Sequence, residues 1–392
     1  MGPAQSYTFD RIPYTLSWRE NPIFNETYAG RPDVVSVEGM FYRPEASAPK
    51  SDVVLIYMHP SGLTNHLPIT SAMPKRGVPV ICAASRYPRN DSALIMEKVA
   101  IDMGAHVRYA KETLGFKYVI LSGWSGGGSL SLFYQSEAED PSITHTPAGD
   151  EVNLKDAGFM PADGVIQQAC HVSRALILTE WMDPSIRNEF DPDDRDASLD
   201  LFNPEIVPPY TQDFLTRYRA AQVARSKRID AYCWDMLEKL KKNPRGEMER
   251  CFVVHGTKAD PGWFDLTVDP NDRAAVDPQG KPGEVNVSPA GLGRYSSLRS
   301  WLSQWSHANS RANGPVCAAR VRVPAIVIEN SADDACMPSH PRRIYEGFGR
   351  TENLEKHVVK GATHFYRDQP VQLAQSVDIV IDWLRRRNFL DA

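Results

Sequence analysis

Continuous apolar runs recur in the first half of the chain and limit the folds that it can adopt. Val53–Met58 is six apolar residues in a row (VVLIYM), and Val78–Ala83 is a second apolar run of the same kind, interrupted by Pro79. A strand of this composition is covered on both faces, as in a parallel sheet. Helical spacing follows from Ser92 to Leu114 and from Ser129 to Ala138. The alternation predicts an α/β fold whose mostly parallel central sheet is covered by helices on both faces.

The alternation breaks after a strand expected at Val165–Ala169. The following stretch is rich in Pro, Asp and Trp, and its clearest element is one long helix from about Thr211 to Lys242. The strand pattern resumes at Val323–Glu329 and Lys356–Val359, which indicates one domain in two sequence halves with a large insertion between them. The expected boundaries are residues 1–170 and 321–392 for the core, with residues 1–33 as an N-terminal extension, and residues 171–320 for a mainly helical cap.

Five tryptophans fall in the predicted cap. They either line an apolar substrate pocket or form the core of the insertion, and the second role is favoured because an insertion of this size needs large buried side chains. The five are Trp181, Trp234, Trp263, Trp301 and Trp305.

Charge and composition exclude several classes of partner. The 44 Lys and Arg residues against 49 Asp and Glu give a net charge of −5, which offers no attraction to nucleic acid or to an anionic membrane. No segment approaches the ~18 apolar residues of a membrane span, and Met1 to Asp10 lacks the features of a secretory signal. We therefore expect a cytoplasmic protein that acts on a small-molecule substrate. The oligomeric state stays open, a homodimer included.

Neither a metal nor an organic cofactor is indicated. The six cysteines are widely scattered without a Cys-x-x-Cys pair, which fits neither a disulfide framework nor a zinc module. No two histidines show zinc-ligand spacing with a third ligand nearby. No phosphate-binding glycine fingerprint is present either. The sequence thus predicts a protein that works without a cofactor.

The most informative motif is Gly123-Trp124-Ser125-Gly126-Gly127, between the apolar strand Tyr118–Ser122 and a helical segment. A serine in a tight strand-to-helix turn projects its hydroxyl above the sheet, and the flanking glycines let strand and helix approach each other closely. The N-terminus of the following helix presents free N–H groups and the positive end of its dipole, which suits an oxyanion. Ser125 is therefore the candidate nucleophile.

A nucleophilic serine needs a base and a group that orients the base. In a fold of this kind an acid and then a histidine follow the nucleophile, each after a late strand. Asp333 and Asp334 come just after Val323–Glu329, and His364 comes just after Lys356–Val359. The three pieces of a catalytic triad therefore occur in the required order.

These motifs resemble those of the α/β-hydrolase superfamily, over the chain from about Val34 to Leu390. The insertion lies where that family carries its cap. The resemblance implies a triad of Ser125, His364 and an aspartate. In that family the acid is usually four residues before the proline of its turn, here Pro338, and this spacing favours Asp334 over Asp333.

The resemblance also implies an oxyanion hole. Its first donor would be the N–H of Gly126, and the second would come from the loop after Val53–Met58, which reads His59-Pro60-Ser61-Gly62. Pro60 stands where that family usually has a glycine, and a proline has no N–H. We therefore expect the Ser61 amide as the second donor, with the Gly62 amide as the alternative.

The implied activity is that of a serine hydrolase that cleaves a carboxylic ester or lactone through an acyl-enzyme. The Trp-rich cap suggests a medium-sized, fairly apolar substrate enclosed away from water, with Trp124 and His171 as candidate binding residues. Carbon–carbon bond hydrolases and amidases use the same triad, and the former need extra donors for a carbanion-like leaving group. A non-catalytic binding protein is a further alternative, against which the intact triad argues.

Overall fold

The computed structural model describes residues 6–20, 22, 25, 31, 33–243, 245–274, 281–289 and 291–391. The strands are β1 Phe9–Arg19, β2 Val34–Pro44, β3 Val53–Met58, β4 Val80–Ala83, β5 Tyr118–Ser125, β6 Gly164–Cys170, β7 Ile186–Asn188, β8 Asp191–Arg195, β9 Cys251–Val253, β10 Tyr295–Ser297, β11 Ala325–Asn330 and β12 Leu354–Val359. The α-helices are α1 Pro68–Lys75, α2 Met96–Arg108, α3 Gly127–Glu139, α4 Arg174–Trp181, α5 Gln212–Lys241, α6 Pro282–Val287, α7 Leu298–Ser300, α8 Gly314–Ala318, α9 Ser339–Gly347 and α10 Pro370–Arg386. Within the described residues, no helix combines the length and the apolar character needed to cross a membrane.

Eight strands form one sheet in the order β1-β2-β4-β3-β5-β6-β11-β12. β2 pairs antiparallel with β1 and with β4, whereas every other pair of neighbours is parallel. Of the strands in this sheet, β2 therefore runs against the rest. The predicted α/β architecture with a mostly parallel sheet is confirmed.

The sheet is covered on both faces, which explains the continuous apolar strands. Alternate side chains of β3 belong to two different hydrophobic clusters, one on each face of the sheet. One cluster contains Val54, Ile56 and Met58, and the other contains Val53, Leu55 and Tyr57. Helices α2 and α3 contribute to the first cluster, and α1 and α10 contribute to the second.

The N-terminal strand β1 was not expected from the sequence. It pairs with β2 along its whole length, from Phe9 opposite Pro44 to Arg19 opposite Val34. Its side chains alternate between half-buried and exposed, and its polar pattern is that of an edge strand. Of the predicted N-terminal extension, residues 1–5 and most of residues 21–32 lie outside the described residues.

The chain between β6 and β11 is mainly helical and has a core of its own. Trp301 and Trp305 are fully buried there against α4 and α5. Thr211 caps the long helix α5 by accepting the N–H of Phe214, at 3.2 Å. The end of this segment already packs with the sheet, because Cys317 in α8 lies in the cluster beneath α3.

Candidate active site

Ser125 lies at a sharp turn between β5 and α3. Its φ is 52°, in the left-handed region that few residues other than glycine adopt. The backbones around this turn are very close: a Cβ on Gly127 would lie 2.3 Å from the Met58 carbonyl oxygen, and one on Gly123 would lie 2.6 Å from the Gly128 Cα. The glycines thus allow the contact that lifts the serine out of the sheet.

His364 is held by Asp333. The Nδ1 atom of His364 lies 2.9 Å from Oδ2 of Asp333, and Oδ1 of the same carboxylate accepts the N–H groups of Ala335 and Cys336 at 2.8 and 2.7 Å. Asp333 follows β11 and His364 follows β12, so both lie at the carboxyl end of their strands, as the turn at Ser125 does at the end of β5. The sheet order, the serine turn and this Asp–His pair together decide the fold.

The chain has the α/β-hydrolase fold.

The structure places Asp333 against His364, and not Asp334, which the spacing to Pro338 favoured as the acid. The Asp333 carboxylate accepts two backbone N–H groups of its own turn, which orient it. Asp333 lies five residues before Pro338, whereas the expected spacing was four. The carbonyl of Asp334 accepts the Nε1–H of Trp263 at 2.9 Å. Burial and the neighbouring charge of Asp333 raise the pKa of Asp334 to about 6.

Trp124 and His171 both lie against the triad. The Trp124 ring is 4.5 Å from the His364 ring, and its Nε1–H donates to the His364 carbonyl at 3.3 Å. His171 donates its backbone N–H to the Ser125 carbonyl at 3.1 Å, and its ring lies 6.1 Å from that of His364. Burial, together with His340 and His364, lowers the pKa of His171 well below its ordinary value. Substrate binding by Trp124 and His171 stays a prediction.

The hydroxyl of Ser125 makes no hydrogen bond to any described residue, His364 included. Catalytic hydrogen bonds of this kind often tighten only when substrate binds. The side chains are nonetheless enclosed together, since Ser125 is 8% exposed, Asp333 1% and His364 3%.

The backbone amide predicted as the second oxyanion donor already has another hydrogen-bond acceptor. The N–H of Ser61 points at Nδ1 of His59, at 3.3 Å, and the N–H of Gly62 donates to the same atom at 2.7 Å. The expectation for Ser61 and its alternative is therefore contradicted, because the imidazole of His59 takes up both amides. Gly126 directly precedes α3, where N–H groups have no intrahelical partner, and its role as an oxyanion donor stays a prediction.

The insertion places a buried cation near the triad. Lys258 is 1% exposed, and its Nζ lies 4.1 Å from the Trp181 ring centroid and 4.0 Å from that of Trp263. Burial lowers the pKa of Lys258 to about 7, although the negative charges of Asp334 and Asp260 act to raise it. The Trp181 ring in turn packs edge-on against His171, at 5.6 Å. No local sequence pattern marked Lys258, which reaches the site from a remote part of the chain.

Among the residues that the structure describes, two groups of side chains bring metal-ligand atoms within 4.8 Å of one another. They are His171, Cys336 and His340, and Asp333, Cys336 and His364. Both depend on Cys336, and burial raises the pKa of its thiol well above the ordinary value, which disfavours the thiolate that metals bind. The Cys336 thiol lies 3.1 Å from the Ala169 carbonyl oxygen and 3.3 Å from His171 Nδ1.

Several solved structures are similar to this chain. GrgF, an alpha/beta hydrolase from Penicillium sp. sh18, is 13% identical with a TM-score of 0.48, and the match covers 95% of this chain and 98% of that one. DcsB, solved in complex with its substrate analogue, is 11% identical with a TM-score of 0.47, over 97% and 99% of the two chains. Est1E from Butyrivibrio proteoclasticus is 12% identical with a TM-score of 0.46, over 90% and 94%.

No protein-family model matches the sequence, and no curated protein sequence matches it either. At such low identities the similarity to solved structures concerns the fold alone. The assignment of the α/β-hydrolase fold rests on the chain's own strand order and on the turn at Ser125.

Proposed function

We propose that the chain is a serine hydrolase that cleaves a carboxylic ester or lactone through an acyl-enzyme. The observation that carries this proposal is the pairing of a strained serine turn with a histidine already oriented by a buried carboxylate. Ser125 is the nucleophile, His364 the general base and Asp333 the group that orients the base.

The first half of the reaction forms the acyl-enzyme. Oγ of Ser125 attacks the carbonyl carbon while Nε2 of His364 takes the hydroxyl proton. Because Nδ1–H of His364 is donated to Asp333, Nε2 is the nitrogen with a free lone pair. The N–H of Gly126 stabilises the negative charge that develops on the carbonyl oxygen.

Collapse of the tetrahedral intermediate completes the acyl-enzyme, and its hydrolysis then releases the acid. The imidazolium of His364 protonates the departing alkoxide, and its charge is stabilised by the Asp333 carboxylate, whose other oxygen accepts two backbone N–H groups. Water then attacks the acyl-enzyme, gives its proton to His364, and Ser125 leaves with that proton. A lactone follows the same steps and opens to a hydroxy acid.

The walls of the site favour a small, fairly apolar substrate. Trp124 lies beside His364, and Trp181 and Trp263 close the side formed by the insertion. Burial of Ser125, Asp333 and His364 favours a substrate that fits within the site over a polymer.

A second candidate function is hydrolysis of a carbon–carbon bond next to a ketone. Lys258 favours this reading, because a buried cation near the triad stabilises negative charge on a carbon leaving group or its enolate. The steps on Ser125 and His364 are unchanged. The leaving carbon, rather than an oxygen, receives the proton from His364.

The two functions are separated by a substrate panel. We would assay aryl and alkyl esters, lactones and β-diketones with the wild-type protein, Ser125→Ala and Ser129→Ala, and identify the products by mass spectrometry. Ser129 is a buried serine in α3, the helix that follows Ser125, and serves as the matched control. Turnover of esters or lactones that is lost only in Ser125→Ala supports the proposal, and preferred turnover of β-diketones supports the second candidate. Wild-type turnover by Ser125→Ala contradicts both.

A further inference from the structure

Residues 60–62, in the loop after β3, have no backbone N–H group left to donate to a substrate. Pro60 has no N–H, and the N–H groups of Ser61 and Gly62 both point at His59 Nδ1, at 3.3 and 2.7 Å. Residues 60–62 therefore leave no backbone N–H for the oxyanion, and the side chain of His59 is the next group to consider.

The two amides also fix the protonation of His59. Since Nδ1 accepts hydrogen bonds, the proton of the neutral ring is on Nε2. Burial, reinforced by the nearby charges of Arg174 and His364, lowers the pKa of His59 to about 3. The ring thus stays neutral, with Nε2–H as a donor, over the pH range in which enzymes usually work.

The Nε2 edge of His59 faces the other half of the oxyanion hole. A Cβ built on Gly126 would lie 2.7 Å from Nε2, nearer than to Cδ2 at 3.3 Å or Cε1 at 3.5 Å. On the opposite side, a Cβ on Gly62 would lie 2.9 Å from Nδ1. The imidazole is therefore sandwiched between two glycines, and no described residue accepts a hydrogen bond from Nε2.

We propose that the Nε2–H of His59 is the second donor of the oxyanion hole, opposite the N–H of Gly126. This inference rests on the function proposed above and adds a residue to its mechanism. The two loop amides hold the ring in place, so the donor is oriented before substrate binds. A neutral imidazole is suited to this role because it donates a hydrogen bond without the desolvation cost of a buried charge.

Kinetics of His59 variants provide the first test. His59→Ala removes the donor and lowers kcat about 10²–10³-fold with little change in KM, because the bond forms only as charge develops on the substrate oxygen. His59→Gln keeps a side-chain N–H donor and recovers part of the rate. His66→Gln, an exposed histidine seven residues further on, is the matched control and stays near the wild-type rate.

A spectroscopic measurement separates catalysis from structural support. In protein with ¹⁵N-labelled histidine, the Nε2–H signal of His59, assigned by its loss in His59→Gln, moves downfield when a fluorophosphonate modifies Ser125, because the phosphonyl oxygen occupies the oxyanion position. This readout uses the wild-type protein and does not depend on how well His59→Ala folds.

An adduct on Ser125 that leaves the His59 signal in place overturns this inference and leaves the proposed function intact. A kcat in His59→Ala within about threefold of wild type also overturns it, since a donor of this kind contributes ~3 kcal/mol. Failure of wild-type Ser125 to form an adduct overturns the proposed function, and this inference with it.

Discussion

One carboxylate oxygen of Asp333 is hydrogen-bonded to His364, and the other accepts backbone N–H groups of the turn in which Asp333 lies. Oδ2 lies 2.9 Å from Nδ1 of the histidine, while Oδ1 accepts two backbone N–H groups. The carboxylate is therefore fixed before any substrate arrives, and it fixes the tautomer of the base in turn. Correct orientation of His364 is built into the loop between β11 and α9.

This arrangement predicts opposite outcomes at two adjacent aspartates. Asp333→Asn lowers kcat by about 10⁴-fold, because an amide stabilises neither the required tautomer nor the imidazolium. Asp334→Asn changes kcat by less than about tenfold, a difference of ~1.4 kcal/mol, since the carboxylate hydrogen-bonded to His364 is that of Asp333. Steady-state kinetics on the best substrate, with circular dichroism to confirm folding, would measure both.

A large loss of kcat in Asp334→Asn together with a small loss in Asp333→Asn would contradict the assignment of the acid. The two variants are matched in charge change and position, so the comparison isolates the contact with His364.

The close contact of the turn with β3 predicts a stability effect at Gly127. A methyl group there meets the backbone carbonyl of Met58 at 2.3 Å, which cannot move without shifting the strand. Gly127→Ala should therefore lower the free energy of unfolding by about 1–3 kcal/mol or more, measured by urea denaturation. Gly349→Ala is the control, because its Cβ would have no contact closer than 3.8 Å. Equal stability of the two variants would argue against a tight turn.

The sequence allowed the architecture and the sharp turn at Ser125 to be predicted, because both leave local patterns. The apolar run of β3 reflects burial on two faces, and the glycines around Ser125 reflect backbone contact. β1 was missed because an edge strand with one exposed side has a mixed polar pattern that a loop can share.

The finer details of the site depend on contacts that the spacing of residues along the sequence does not predict. Whether Asp333 or Asp334 faces His364 depends on which carboxylate meets the N–H groups of its turn. Ser61 was expected to be a donor to substrate, but its amide points at a side chain two residues earlier. Lys258 reaches the site only through the folding of the insertion.

Burial of Lys258 predicts a pH-dependent stability. Its pKa is about 7 in the folded protein and ~10.4 in an unfolded chain, so between these values unfolding takes up a proton at this residue. The contribution of Lys258 to the free energy of unfolding is therefore least favourable below pH 7 and rises with pH. Lys258→Met should exceed wild type in stability most at low pH, and the difference should shrink by up to ~1.4 kcal/mol per pH unit above pH 7.

Urea denaturation at pH 6, 7, 8 and 9 measures this difference. Lys155→Met, which removes a positive charge from an exposed lysine, is the control. Parallel stability profiles for wild type and Lys258→Met would show that the lysine keeps its proton through this range, contrary to the prediction.

Covalent labelling tests most directly whether Ser125 is an activated nucleophile. The protein would be treated with a small fluorophosphonate and with a bulkier one, and the adduct would be located by peptide mass spectrometry in wild type, Ser125→Ala and Ser129→Ala. The account predicts one adduct per chain, on Ser125, in wild type and Ser129→Ala, with slower labelling by the bulkier probe because the cap encloses the triad. Absence of an adduct with the small probe, or equal labelling of Ser125→Ala, would contradict it.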